Sequence, residues 1–183
     1  MNSHRIKALA LIFALVSFFI YANVTADTNR HQAEVTILPD GKLLPELIRD
    51  IAEAKQSIYI AMYMFKSYDN VNNGAGLIKA SLVKAAKRSV KVYIALDSSK
   101  DGDFIEKENK KLGKYLLKNN IQVVYDSPDN RMHTKALVID ERISYIGSHN
   151  YTNSALKYNR EMTVRIVSEE ASRDAIRHIK SIK

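Results

Sequence analysis

An α/β fold, with a mostly parallel or mixed β-sheet sandwiched between helices, is predicted by three observations. From Glu34 onward, short apolar runs of strand character alternate with longer stretches of helical periodicity, the pattern of a sheet covered on both faces. The 183 residues are 46% hydrophobic, enough for one sizeable core and too few for two ordinary domains. No low-complexity tract or linker interrupts the chain after residue 26. One domain is expected over 27–183.

Glu34 to Leu38 reads as a short strand, closed by Pro39-Asp40-Gly41. Leu44, Leu47, Ile48 and Ile51 recur at helical spacing, so residues 42–55 should form an amphipathic helix. Ser57 to Phe65 is apolar and rich in large residues, as expected for a strand buried on both faces. Within it Tyr59, Met62, Tyr63 and Met64 read as core packing. Lys66 to Gly76, with Asn70, Asn72, Asn73 and two glycines, reads as a polar loop. Leu77, Ile78, Ser81, Leu82, Ala85 and Ala86 mark the next helix. Val90 to Leu96 is a strand, residues 103–119 a charged helix and Ile121 to Tyr125 another strand. A strand follows from about His133 to Ile139, then Ile143 to Ile146 and Glu161 to Val167, and Ala171 to Ile182 is the last helix.

The net charge is +8, which favours a polyanionic partner, either nucleic acid or an anionic membrane surface, although a solvated basic surface has the same signature. There are no cysteines, so disulfides, thiol catalysis and thiolate metal sites are excluded. Arg5 and Lys7 precede an almost unbroken apolar run from Ala8 to Tyr21, and Val24-Thr25-Ala26 offers small or modest residues beyond it. This is the arrangement of a secretory signal peptide over 1–26, and it predicts an exported, periplasmic or secreted protein. An uncleaved anchor through residues 8–21 is the competing reading, since that run is only slightly short of a membrane span. Removing 1–26 takes away two bases and no acids and leaves the remainder at +6. The basic balance therefore belongs to the working domain.

One stretch stands apart. Met132-His133-Thr134-Lys135-Ala136-Leu137-Val138-Ile139-Asp140, followed by Gly147-Ser148-His149-Asn150, gives H-x-K-x4-D-x6-G-S-x-N without a mismatch. Six specified positions at fixed spacing arise by chance on the order of once in a hundred thousand to a million chains. Two residues apart in a β-type run, His133 and Lys135 point to one face. That face presents a potential nucleophile beside a fixed positive charge, the pairing needed to attack a phosphodiester. The H-x-K pair recurs at His178-Ile179-Lys180, with no aspartate or Gly-Ser after it. The chain thus carries one complete motif and no internal repeat.

With these residues the chain resembles the phospholipase D superfamily, and in particular its small single-motif bacterial endonucleases. In that family two motifs meet at a two-fold axis to build one active site, so a single-motif chain is implied to act as a homodimer. The resemblance implies that His133 of one subunit attacks phosphorus to form a covalent phosphohistidine, while His133 of the other protonates the leaving oxygen and later activates water. Chemically this is sound, because histidine is largely neutral near neutral pH and serves as both nucleophile and acid. Lys135 would neutralise charge on the non-bridging oxygens, and Ser148 and Asn150 would donate hydrogen bonds to them. Glu161, in Asn159-Arg160-Glu161, stands where the family places a carboxylate against the other nitrogen of the histidine. Asp140 completes the motif set and is expected to anchor the turn after the strand rather than to touch substrate.

Other features read more plainly. His4, His31 and His178 are ordinary polar residues on burial statistics. His149 occupies the free position of G-S-x-N, to which no fixed role attaches. Asp97-Ser98-Ser99-Lys100-Asp101-Gly102 with Glu108 nearly fits a calcium loop but departs at Ser99, and a strand precedes it where a helix is required. It reads as a solvated loop at a strand end. The chemistry assigned to His133 and Lys135 needs no metal and no cofactor.

The expected function is that of an exported, metal-independent phosphodiesterase cleaving nucleic acid, single- or double-stranded DNA or RNA, with 5′-phosphate ends implied by the resemblance. Lys84, Lys87, Arg88, Lys110, Lys111, Lys114, Arg131, Arg142, Lys157 and Arg160 are candidates for a binding groove, though each alone reads as a solvated charge. The alternative enzyme is a phospholipase D acting on an anionic phospholipid. A catalytically idle nucleic-acid-binding partner is a third class, and the intact His133, Lys135, Ser148 and Asn150 argue against it.

Overall fold

Alternation within each strand decides how the sheet is covered. In the computed structural model, which describes residues 30–68, 72–98 and 102–183, the strands are β1 (Glu34–Pro39), β2 (Ser57–Met62), β3 (Lys91–Leu96), β4 (Gln122–Tyr125), β5 (Lys135–Ile139), β6 (Ile143–Gly147) and β7 (Met162–Val167). The helices are α1 (Leu43–Glu53), α2 (Gly74–Lys87), α3 (Phe104–Leu117), α4 (Asn153–Lys157) and α5 (Glu169–Ser181), with a 3-10 turn at Asp40–Lys42. The strands form one sheet in the order β1-β7-β6-β5-β2-β3-β4. Ile58, Ile60 and Met62 of β2, with Val92, Ile94 and Leu96 of β3, join the larger core beneath α1, α2, α3 and α4. The intervening Ala61 and Ala95 face the other way, where Ile176 and Ile179 of α5 cover them together with Ala136 and Val138. Small residues on that face let a single helix lie close to the strands. Gln32–Lys183 makes one compact unit. The signal-peptide reading of residues 1–26, with its apolar run 8–21, falls outside the described residues.

The sheet is mixed, and the mostly parallel arrangement holds only locally. β2 pairs with β3 and β3 with β4 in parallel, while the other four pairings are antiparallel. Parallel pairing requires a crossover, which α2 and α3 supply. No helix separates β4 from β5, and β5 turns into β6 through Asp140–Arg142, so a hairpin results instead. The short α4 was not expected; Thr152 caps it by accepting from the Ala155 amide at 3.1 Å. α2 begins inside the stretch read as loop, because the Asn73 side chain accepts from the Gly76 amide at 2.7 Å. β2 stops at Met62, three residues early, and Phe65 makes only an isolated bridge to Tyr151.

The chain that leaves β2 and β3 is held from below by one buried amide. Asn109 of α3 is fully buried; its Nδ2 donates to the carbonyls of Tyr63 (2.9 Å) and Asp97 (3.0 Å), and its Oδ1 accepts from the Phe65 amide (3.0 Å). Asn109→Ala would strand three buried backbone groups and should cost about 3 kcal/mol of stability. Chemical denaturation checks this; a loss within about 0.5 kcal/mol, the scale of an ordinary surface change, would show that the ends of β2 and β3 hold without it.

Candidate active site

Strand ends build the site. Lys135 opens β5 directly opposite Met62, the last residue of β2, and His133 lies just before the strand rather than in it. That short lead-in is nevertheless fixed. The Met132 side chain is buried under α5, its amide donates to the Asp97 carboxylate at 2.8 Å, and the Thr134 carbonyl accepts from the Tyr63 amide at 3.0 Å. His133 is thus anchored on both sides by backbone bonds while its own side chain stays exposed.

Three cationic or ionisable groups surround one aromatic ring. His133 lies 4.4 Å from the Tyr63 ring, centroid to centroid, tilted by 59°. The Lys135 ammonium sits 4.8 Å over the same ring and donates to the His133 carbonyl at 2.7 Å. The Arg131 guanidinium is 5.7 Å from the ring centre, and its Nη1 donates to the Tyr63 hydroxyl at 3.2 Å. Partial desolvation, then the charges of Lys135 and Arg131, hold His133 below the ordinary histidine range. A neutral imidazole is the form that can attack phosphorus. Desolvation also lowers Lys135, opposed by the negative charges of Glu161 and Asp97.

The second half of the motif follows β6. A Cβ on Gly147 would meet the Met162 carbonyl oxygen and Thr163 Oγ1, each at 2.4 Å, so only glycine allows β6 to end this close to β7. Ser148 is exposed; its hydroxyl donates to the Glu161 carboxylate and accepts from the Met162 amide at 3.1 Å. Glu161 also accepts from Asn159 Nδ2 at 3.2 Å. Among the described residues no hydrogen bond joins Glu161 to His133, so within one chain the carboxylate serves Ser148. Asn150 Oδ1 is buried without a hydrogen-bond partner, which costs free energy unless a donor arrives from outside the chain. His149 is buried and structural. Its Nε2–H donates to the Asp40 carbonyl at 3.0 Å, which leaves Nδ1 to accept from the Thr163 hydroxyl at 2.8 Å.

Asp140 belongs to a different place. It lies five residues beyond Lys135, at the far end of β5 and about 17 Å away at strand rise. Its carboxylate accepts from the amides of Lys55 (2.8 Å), Gln56 (2.7 Å) and Ser57 (2.9 Å). It ties the entry to β2 at the end of β5 remote from His133, as an anchor beside the turn after the strand. Asp40, which the sequence showed only as part of a turn, proves to organise the site from the 3-10 turn after β1. Its carboxylate accepts from the Glu161 amide and Arg160 Nη1, both at 2.9 Å, and these two contacts hold it below the usual carboxylate range.

The basic candidates divide. Arg131 stands at the site, whereas Arg88 donates to the Ile51 carbonyl at 3.1 Å, Lys110 pairs with Glu106 at 3.3 Å and Arg160 pairs with Asp40. Asp97, first residue of the calcium-like loop, is buried and turned inward to Met132 rather than towards the loop. Ser99 to Asp101 lie outside the described residues. No cluster of three or more His, Asp or Glu side chains suited to a metal occurs among the described residues.

Residues 47–183 match the family model described as cardiolipin synthase, PLD-like domain. The chain belongs to the phospholipase D superfamily. This superfamily member is 27% identical over 160 residues to a phospholipase D of Rickettsia prowazekii (strain Madrid E), covering 87% of this chain and 70% of that one. It is 30% identical over 122 residues to cardiolipin synthase A of Buchnera aphidicola subsp. Baizongia pistaciae (strain Bp), covering 62% of this chain. It spans only about a quarter, 24%, of the length of that synthase. In fold it is similar to Nuc, a phospholipase D family member from Salmonella typhimurium, with a TM-score of 0.69 at 23% identity, covering 82% of this chain and 94% of that one. NucT from Helicobacter pylori gives 0.64 at 22% identity, covering 82% and 96%. The superfamily's phosphodiesterase fold and its complete motif therefore coincide in this chain.

Proposed function

We propose that this superfamily phosphodiesterase is an exported endonuclease acting on nucleic acid at a site shared between two copies of the chain. One observation carries the reading: His133 is fixed just before the start of β5, biased to its neutral form and flanked by Lys135 and Arg131 on a common aromatic support. In the first step a His133 ring nitrogen forms a bond to phosphorus, the bond from phosphorus to the leaving oxygen breaks, and the partner subunit's His133 gives that oxygen a proton. In the second step that same histidine takes a proton from water, whose oxygen attacks phosphorus and displaces the first histidine. Lys135 meets the charge on the non-bridging oxygens throughout. The unpartnered Oδ1 of Asn150 supports a site completed from outside the chain. The basic balance suits a polyanion, because phosphate contacts dominate affinity for nucleic acids. The likeness in fold to Nuc and NucT, over 94% and 96% of those chains, supports an enzyme of this kind.

A second reading has its own support. The rickettsial phospholipase D aligns over most of its length with this chain, and the same steps would hydrolyse a phospholipid diester. Purified protein offered labelled single-stranded DNA, duplex DNA, RNA and phosphatidylglycerol vesicles in separate reactions decides between them. Cleavage of a polynucleotide with steep loss of affinity in salt supports the nuclease; hydrolysis of phosphatidylglycerol alone replaces it.

Excess EDTA should leave the rate undiminished, because phosphohistidine chemistry with Lys135 as charge partner uses no ion. Added magnesium or calcium should be neutral or inhibitory, through competition for substrate phosphates. Loss of activity in EDTA that calcium restores would instead make a metal site of the segment from Asp97 to Glu108.

A further inference from the structure

The motif does not contain Tyr63, yet Tyr63 touches both His133 and Lys135 of the motif. It follows the last residue of β2, its side chain is 8% exposed, and its backbone is clamped on both sides, the amide by the Thr134 carbonyl and the carbonyl by Asn109. A ring held this firmly cannot drift with its neighbours; they must settle against it. The His133 ring and the Lys135 ammonium lie 4.4 Å and 4.8 Å from its ring centre, while its hydroxyl accepts from Arg131. Cations and imidazoles are attracted to the electron-rich face of an aromatic ring. Like charges such as Lys135 and Arg131 would separate without a common counter-surface.

We infer that Tyr63 is a positioning residue with two separable tasks: its ring sets His133 and Lys135 for attack, and its hydroxyl holds Arg131 to receive a phosphate flanking the scissile one. The second task rests on the nuclease reading, in which the substrate brings a phosphate beside the scissile one, as phosphatidylglycerol does not. The first applies to any phosphodiester. Arg131 is suited to its part because it is exposed, permanently charged and presents a planar fork to phosphate oxygens. Its Nη1 is anchored by Tyr63, which fixes the plane and leaves the other guanidinium nitrogens to reach outward.

The test uses the full chain, two substrates and three variants. The substrates are a short labelled oligonucleotide and bis(p-nitrophenyl) phosphate, a diester with no second phosphate. Tyr63→Leu should lower kcat about 30- to 100-fold on both, the scale of a misplacement near 1 Å. Tyr63→Phe keeps the ring and should recover most of that kcat, while raising KM for the oligonucleotide about 3- to 10-fold, as loss of one charge-assisted hydrogen bond would. Its KM for the small diester should not move. Arg131→Ala should raise the oligonucleotide KM at least as far, and adding Tyr63→Phe to it should have no further effect, because the hydroxyl acts through Arg131. A folded Tyr63→Leu with wild-type kcat on the small diester overturns the ring's task. Equal KM effects of Tyr63→Phe on both substrates, or full additivity with Arg131→Ala, overturn the hydroxyl's task. Should Tyr63→Leu fail to fold, the Phe and Arg131 variants still decide the second task, and Tyr63→Met takes the place of Leu for the first. Wild-type turnover of the small diester without any of the oligonucleotide would sink the nuclease reading and the Arg131 task together, and leave the ring's task to be decided on the diester.

Discussion

His133→Ala should remove turnover, with a fall in kcat of about 10⁴-fold or more, while the thermal unfolding midpoint stays close to wild type. The size follows from what is lost: in a shared site the substitution deletes both the nucleophile and the leaving-group acid, and 10⁴ corresponds to about 5.4 kcal/mol of transition-state stabilisation. The small effect on stability follows from the geometry. His133 is exposed, and the bonds that fix its segment come from the Met132 amide and the Thr134 carbonyl rather than from the imidazole. Its ring contact with Tyr63 is forfeited. A variant retaining more than a few per cent of the wild-type rate, with contaminating nuclease excluded, would require another nucleophile. His149, the nearest in sequence, is not placed for it, being buried with both ring nitrogens engaged.

What could be read before the structure, and what could not, separates along physical lines. The motif was legible because its chemistry demands particular residue types at fixed spacing within a local stretch of chain. Gly147 is a clear case: the close approach of Met162 and Thr163 leaves no space for a Cβ. Asp140 was legible as an anchor for a related reason, since an aspartate at a strand end has free backbone amides nearby to bind. Tyr63, Asp97 and Asp40 were not. Tyr63 stands in an apolar run, where core packing is the ordinary reading, and its partners Arg131 and His133 lie some 70 residues away. Asp97 reaches Met132 across 35 residues, and Asp40 reaches Glu161 across 121. Nothing in local periodicity signals such pairs. The sheet shows the same boundary. Strand positions emerged from composition, but the antiparallel placement of β5 between β6 and β2 is a property of pairing, decided by the missing helix after β4 and the tight turn after β5. The five residues of α4 are too few for a 3.6-residue period to declare itself.

Assembly gives the last large effect. In-line displacement places the attacking and leaving groups on opposite faces of phosphorus, so one His133 cannot serve as nucleophile on one side and acid on the other. On the reading proposed above, two copies related by a two-fold axis would supply both, as a C2 dimer with one composite site. Two observations suit that proposal: among the described residues Asn150 Oδ1 has no donor, and Glu161 is engaged by Ser148 and Asn159 rather than by His133. Wild-type chains mixed with His133→Ala chains under subunit exchange should therefore lose activity faster than dilution. At equal proportions, random pairing leaves roughly one quarter of dimers with both histidines, so the rate should fall to about a quarter of the undiluted value rather than a half. With a ninefold excess of variant it should fall to about one per cent rather than ten. Exchange is verified separately, by mixing differently tagged chains and recovering heterodimers. If the rate then tracked the wild-type fraction linearly, each chain would be acting alone. A second proton donor would have to be sought within it, and Lys135, whose ammonium lies beside His133 and whose pKa is lowered by burial, would be the group to substitute first.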